Sequence, residues 1–233
     1  MKAPYIWQYN EFDAVGTDYS KPEEVFKYDE FMQTMRDIPG ELDFLFSATG
    51  LNETSTVIDF GCGTGLYTVP IAQRCRQVIG VDISQTMLDY TQQKAQRLNV
   101  DSIQLCRGGF LTYIHTDEPV DCIVSSLAFH HLSDFWKAIA LRRLYHMLKP
   151  GGYFYLHDVV FSFNLDEYAD KFTQWINDSR FAKRQEGVIR HIRDEFSVTT
   201  KILDLLFTEC GYTIEHCKTD SSEMMAIYVC RRS

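Results

Sequence analysis

The sequence predicts an α/β fold: a seven-stranded, mostly parallel sheet with its last strand antiparallel and helices on both faces. Three observations predict it. From residue 56 onward, short apolar runs alternate with amphipathic helical stretches, the pattern of strands joined by crossover helices. The first apolar run enters a glycine-rich turn and then a helix. The last two runs lie close enough in sequence to pair as a hairpin.

The elements follow in order. Residues 1–21 are aromatic and irregular. Ser20-Lys21-Pro22-Glu23 then reads as a capping box with proline near the helix start. Val25, Tyr28, Met32 and Met35 recur at helical spacing, and Pro39-Gly40 is expected to end that helix. A second helix over about 41–49 stops at Gly50. Residues 56–60 form the first strand, with a helix after the glycines to about Cys75, and 77–81 form the second. Ser84 caps a helix that carries Met87, Leu88, Thr91, Ala95 and Leu98 on one face. Residues 103–106 and 121–126 are the third and fourth strands. Asp134 opens a helix whose Phe135, Ala138, Leu141, Tyr145 and Leu148 form an apolar stripe. Lys149-Pro150-Gly151-Gly152 is a turn, with proline and glycine where type II geometry wants them, and 153–158 is the fifth strand. The stretch 161–195 holds two helices where one connection would suffice, and a further helix runs from Ser197 or Thr199 to Cys210. Residues 212–217 and 224–230 are the closing strands.

Composition narrows the function classes. A hydrophobic share of 45% and a charged share of 24% are those of an ordinary soluble domain. No apolar run approaches the ~20 residues that span a bilayer, so no membrane insertion is expected. The start lacks a signal-peptide core, which makes the cytoplasm the expected location. The seven cysteines are scattered without a C-x-x-C pair, consistent with reduced thiols, and no metal ligands are assigned. The net charge of −9 argues against a nucleic-acid partner. Arg180, Lys183, Arg184, Arg190 and Arg193 are interrupted by acids, so 180–193 is either a local basic patch or a solvated helix face.

The decisive segment is Val57-Ile58-Asp59-Phe60-Gly61-Cys62-Gly63-Thr64-Gly65-Leu66-Tyr67. Glycines at alternate positions let the backbone turn tightly and approach a ligand, and the helix start behind them offers free N–H groups. The spacing is G-x-G-x-G, not the G-x-G-x-x-G of dinucleotide sites. Some twenty residues on, Asp82 ends the second strand, where a carboxylate can accept from both hydroxyls of a ribose or, alternatively, merely cap the next helix.

VIDFGCGTG, GVDIS, VDCIVSSLAFHHL and MLKPGGYFYLHD occur in that order. Together they resemble the class I S-adenosylmethionine-dependent methyltransferase superfamily, most closely its small-molecule branch of the ubiquinone/menaquinone-biosynthesis type. The resemblance covers about residues 22–160 well and the last two strands loosely. It implies a Rossmann-like sheet in one domain, 1–233. Its parts would be an N-terminal cap or lid at 1–50, a cofactor-binding core at 51–160, a helical insertion at 161–196 and a closing helix and strand hairpin at 197–233. The cofactor implied is S-adenosylmethionine, with S-adenosylhomocysteine as product. Gly61, Gly63 and Gly65 would line its methionine and ribose part, and Asp59 would order the loop and the cofactor's amino group. Asp82 would hold the ribose hydroxyls, Ile83 and Met87 would flank the adenine, and Ser126 and Leu127 would border the sulfonium. Tyr28 matches a tyrosine that closes over the cofactor in similar enzymes. Arg36 would reach the cofactor carboxylate or else stand as an exposed helix-end arginine. One departure stands out. The loop after the third strand is Gly108-Gly109-Phe110, without the carboxylate that similar enzymes aim at the adenine amino group. Backbone groups around Gly109 and packing by Phe110 would have to recognise adenine instead.

The implied acceptor is a small molecule. His130, beside His131 just past the fourth strand, is the candidate general base or acceptor-positioning group. His157 and Asp158, at the end of the fifth strand, are candidate acceptor contacts, as are Tyr9 and Tyr19 from a lid-like N-terminal segment. The aromatic set between 161 and 181 would either roof a planar acceptor or pack as core. Three other readings compete: a nicotinamide oxidoreductase, disfavoured by the glycine spacing; an S-adenosylmethionine-binding module without catalysis; and a nucleic-acid methyltransferase, which the acidity and the lack of an Asn/Asp-Pro-Pro-aromatic motif oppose.

Overall fold

A computed structural model of the chain describes residues 5–13 and 22–233. Tyr19 and the Ser20-Lys21 half of the expected capping box lie outside the described residues. Helix α1 (Pro22–Met35) begins at the proline. Helix α2 (Ile38–Thr49) is capped by Asp37, whose side chain accepts from the Gly40 N–H, and Pro39 sits in its first turn. Pro39-Gly40 therefore opens the second helix instead of ending the first. A proline there forfeits only an N–H that would have had no helical partner.

Strand β1 (Thr56–Phe60) leads through the glycine turn into a short α3 (Thr68–Ala72). This helix is shorter than expected, because residues 61–67 are spent on a loop with positive φ at its three glycines. Then come β2 (Gln77–Asp82), α4 (Gln85–Arg97), β3 (Ile103–Arg107), β4 (Val120–Ser126) and α5 (Asp134–Met147). Ser84 caps α4 as expected, accepting from the Met87 N–H. Strand β5 (Leu148–Phe161) is longer at both ends than the sequence suggests. The Lys149–Gly152 turn is absorbed into it as an irregularity in its pairing with β4, with Gly151 at φ +77°. Helices α6 (Tyr168–Ile176) and α7 (Gln185–Asp194) form the insertion. A two-residue β6 (Val198–Thr199), α8 (Thr200–Glu209), β7 (Tyr212–Thr219) and β8 (Met225–Arg232) close the chain.

The strands run in the order β3-β2-β1-β4-β5-β8-β7, with β6 pairing onto β5. All pairings are parallel except those of β8, which is antiparallel to both β5 and β7. This is the fold class the sequence predicts. Alternate residues of the central strands serve opposite faces, as a strand's period of two requires. Ile58, Ile79, Ile123 and Phe154 pack with Leu141, Leu144 and Phe207 from α5 and α8. Their neighbours Val57, Val78, Val124 and Tyr155 pack with Leu45, Ile71 and Ala95 from α2, α3 and α4. Every residue of β1 is buried, which only a strand covered on both faces achieves. The order reverses between β1 and β4, and the loops leaving their carboxyl ends part there. In open α/β sheets that crevice is where ligands bind.

Candidate active site

A cavity of about 1400 Å³ opens at this switch point, walled by the loops after β1, β2, β3 and β4 and by α1 and the insertion. The turn after β1 is held from behind: the N–H groups of Gly61 and Cys62 both donate to Val81 O, at 2.8 and 3.1 Å. Gly61 has φ +69°, and a Cβ there would stand 2.2 Å from the Ala128 Cβ. Only glycine lets the β1 and β4 loops approach so closely. Gly63 lines the cavity and donates its N–H to Asp82 Oδ2 at 2.9 Å, while Asp82 Oδ1 accepts from Ser84 N at 2.8 Å. Burial pushes the Asp82 carboxyl up from the usual range, against those backbone donors. Each carboxylate oxygen keeps a lone pair for a ligand. Asp82 thus holds the glycine turn and the Ser84 cap of α4 in place while presenting acceptors to the cavity.

Ile83, Met87, Gly109, Phe110, Ser126 and Leu127 also reach the wall, as does Tyr28 of α1. Phe110 stacks on Phe60 at 5.2 Å between ring centroids. Leu127 takes φ +54°, unusual for a leucine, while its N–H donates to His157 O at 2.9 Å. Such strain is kept where the surroundings over-determine it. Three expected residues lie behind the wall. Asp59 is fully buried and accepts from Thr68 Oγ1 at 2.6 Å, and burial raises its carboxyl to about 7. Its role here is to anchor the turn to α3. Gly65 allows close packing, since a Cβ would lie 2.8 Å from Thr91 Cγ2. Asp158 is buried beneath His130.

A carboxylate from a distant segment stands against the Gly108-Gly109-Phe110 loop. Glu11, on the N-terminal segment, reaches in so that both its oxygens stand 3.1 Å from the Leu111 N–H, and Oε1 accepts from Thr112 Oγ1 at 2.6 Å. It lines the cavity beside Gly109. No sequence signal marked it, because its partners lie about a hundred residues away.

Arg36 is not an exposed helix-end arginine. Its fork grips Glu41, with Nε to Oε1 at 3.1 Å and Nη2 to Oε2 at 2.5 Å. Nη2 also donates to Ser126 Oγ at 2.8 Å and faces His157 Nδ1 at 3.0 Å. The same imidazole nitrogen stands 3.5 Å from Glu41 Oε2. Burial raises the Glu41 carboxyl, but hydrogen bonds from His157 and Arg36 outweigh it and hold it at about 2.

At the other end of the cavity, His130 Nδ1 lies 2.5 Å from Asp158 Oδ1, and the His130 N–H donates to Asp158 Oδ2. Its Nε2 faces Glu195 Oε2 at 3.2 Å. Burial lowers the imidazole, but the two carboxylates overcome it and raise it to about 9, while burial drives neighbouring His131 down to about 3. A ring charged at neutral pH serves better to position an acceptor than to take its proton. The aromatic set of the insertion divides. Phe161, Phe163 and Phe172 pack on one another, whereas Trp175 and Phe181 line the cavity. Of the basic residues there, Arg180 pairs with Asp178 and Arg193 with Asp194.

A methyltransferase-domain family profile matches residues 57–152, the span from β1 to the turn within β5. An uncharacterised methyltransferase of Geobacillus kaustophilus is 32% identical over 186 residues, covering 80% of each chain. The chain belongs to the class I S-adenosylmethionine-dependent methyltransferase superfamily. A second relative of this methyltransferase, from Geobacillus sp. (strain WCH70), is 29% identical over 199 residues, 84% of this chain and 85% of its own. Among solved structures, a SAM-dependent methyltransferase from Aquifex aeolicus superposes with TM-score 0.64 at 18% identity, over 91% of this chain and 99% of that one. The magnesium protoporphyrin IX methyltransferase of Synechocystis, solved with bound SAH, superposes with TM-score 0.62 at 14% identity, over 95% and 91%. At those identities the likeness is one of fold.

The methyltransferase also gathers side chains that no local pattern foretold. Glu41, Tyr67, His191 and Glu195 join the wall or its support through contacts between segments distant in sequence. Among the described residues, no helix is long and apolar enough to cross a membrane.

Proposed function

We propose that this methyltransferase binds S-adenosylmethionine across the carboxyl ends of β1, β2 and β3 and passes its methyl group in line to a small-molecule acceptor. The observation that carries the reading is Asp82. Its carboxylate is buried on the cavity wall, oriented by two backbone N–H groups, with acceptor capacity left for vicinal hydroxyls. The glycine turn beside it, the apolar pair Ile83 and Met87, and Phe110 suit the methionine, adenine and ribose parts. Glu11 supplies the carboxylate for the adenine amino group that the loop itself lacks.

Bound S-adenosylmethionine supplies an electrophilic methyl group on a sulfonium. The protein's part is mainly alignment, which can contribute ~7–11 kcal/mol. Ser126 and Leu127 border the transfer point, and Arg36 and Glu41 hold Ser126 and His157 in fixed positions. His130, held by Asp158 through Nδ1 and by Glu195 through Nε2, stands at the acceptor end. Trp175 and Phe181 offer apolar faces there, which favours an acceptor with a planar or apolar part. The resemblance to the ubiquinone/menaquinone-biosynthesis branch supports the small-molecule acceptor, and the seven free thiols suit the reducing cytoplasm.

Calorimetric titration with S-adenosylmethionine and S-adenosylhomocysteine, alongside Asp82→Ala, tests the reading. Binding of both ligands to the wild type, weakened at least tenfold in the variant, is expected. Absence of binding by folded wild-type protein would refute it.

A further inference from the structure

His130, His191 and Glu195 converge on the cavity wall with one ligand atom each, all within 4.8 Å of one another. We propose that these three side chains form a binding site for a divalent transition-metal ion of the zinc class, at the acceptor end of the cavity. The site goes beyond the cofactor reading and does not depend on it; only its use in methyl transfer rests on that reading.

The orientation of each imidazole carries the argument. His130 turns Nδ1 to Asp158 Oδ1 at 2.5 Å, which leaves Nε2 facing Glu195 Oε2 at 3.2 Å. His191 turns Nε2 to Ser197 Oγ at 2.8 Å, which leaves Nδ1 against the same Glu195 oxygen. Both rings therefore have their outer nitrogen held by an oxygen and their inner nitrogen aimed at one carboxylate, and a metal ion taking its place there releases the inner-nitrogen proton to solvent. Metal-bound histidines are held in the same way, with the second nitrogen donating to a carboxylate or other oxygen that fixes tautomer and ring plane. Glu195 follows His191 by four residues, so α7 and its C-terminal cap bring both to one face.

The backbone fixes this meeting of two distant segments. The Phe196 N–H donates to His130 O at 2.9 Å. The buried Lys137 Nζ bridges Leu132 O and Phe196 O, at 2.5 Å each, tying the loop after β4 to the end of α7. The side chains of His191 and Glu195 are 13% and 9% exposed, enough to admit an ion from the cavity. Ligands of a zinc ion at its usual bond lengths stand roughly 3.0–3.5 Å apart, so small side-chain rotations complete the set. Two imidazoles with one carboxylate favour zinc, cobalt or iron over magnesium or calcium, which take oxygen ligands. Three protein ligands also leave coordination positions open, and here the open side is the cavity. A hydroxyl, thiol or carboxylate on the acceptor is the chemistry such a position takes.

The test uses the full chain, stripped with EDTA and dialysed at pH 7.5 against Zn²⁺ or Co²⁺, with bound metal measured by mass spectrometry. One ion per chain is expected. Cobalt should give visible ligand-field bands, and affinity should fall at least about 100-fold in Glu195→Gln and in His191→Ala. Long-range ¹H–¹⁵N spectra of wild-type imidazoles during zinc titration need no variant. The inner nitrogens, His130 Nε2 and His191 Nδ1, should shift on binding. Less than a tenth of an ion per chain, unmoved imidazole resonances, or stoichiometric binding that survives Glu195→Gln would overturn the site. S-adenosylhomocysteine titration of the stripped protein separates this outcome from failure of the cofactor reading.

Discussion

Glu11 fills the space that a side chain at position 109 would need: a Cβ on Gly109 would lie 2.4 Å from Glu11 Oε2. The bare glycine lets the N-terminal segment lay a 7%-exposed carboxylate over the loop after β3, where the Leu111 N–H and the Thr112 hydroxyl donate to it. Gly109→Ala should expel that carboxylate and leave a buried N–H without an acceptor. The expected loss is about 1–3 kcal/mol in urea unfolding, with Glu11→Gln milder because an amide oxygen still accepts. A wild-type midpoint in Gly109→Ala would show that the two segments are not joined in solution.

Gly61 and Ala128 form the second close approach, between the β1 and β4 loops. Gly61→Ala places a Cβ 2.2 Å from the Ala128 Cβ at a residue with φ +69°. Overpacking at about 1–3 kcal/mol and the left-handed backbone at about 1–2 kcal/mol should combine to destabilise the fold. Ala128→Gly should recover the steric part in the double variant and leave the backbone part. Strict additivity of the two single changes would contradict the contact.

Asp59 and Glu41 give opposite pH dependences. Burial raises the Asp59 carboxyl from 3.8 to about 7, so the folded state holds its proton where the unfolded state has lost it. The stability this confers is complete below about pH 4 and falls away as pH rises through 7. Asp59→Asn, which keeps a partner for Thr68, should flatten the decline between pH 5 and 8 in thermal melts. A decline unchanged in the variant would place its origin elsewhere.

Glu41 works the other way, because its partners hold its carboxyl down, from 4.5 to about 2. Its contribution is present above pH 4.5 and lost as pH falls toward 2. The Arg36 and Glu41 side chains are only 10% and 14% exposed, so Glu41→Gln leaves a buried guanidinium without its counter-charge. A cost of about 3–5 kcal/mol at pH 7 is expected, shrinking at pH 3. Chemical unfolding at the two pH values reads the difference directly. An equal loss at both would mean the pair is not ionic.

Much was legible along the chain, and for a local reason. The strand periodicity of 56–60, the G-x-G-x-G turn, the Ser84 cap and the position of Asp82 each express a preference set by neighbouring residues. These determined the sheet class and, through the family resemblance, the wall where a cofactor would lie. Pro39-Gly40 is ambiguous in sequence because proline suits both the end of one helix and the first turn of the next. The Asp37 cap decides between them. Only the tertiary structure could bring Glu11 against Gly109, turn Arg36 inward onto Ser126 and His157, or set His191 and Glu195 against His130. Those contacts join segments far apart in the chain, and no spacing rule operates across a folded chain. Asp59 makes the same point: its sequence position beside the glycines marked it as important, but only packing showed that its carboxylate faces Thr68 instead of the cavity.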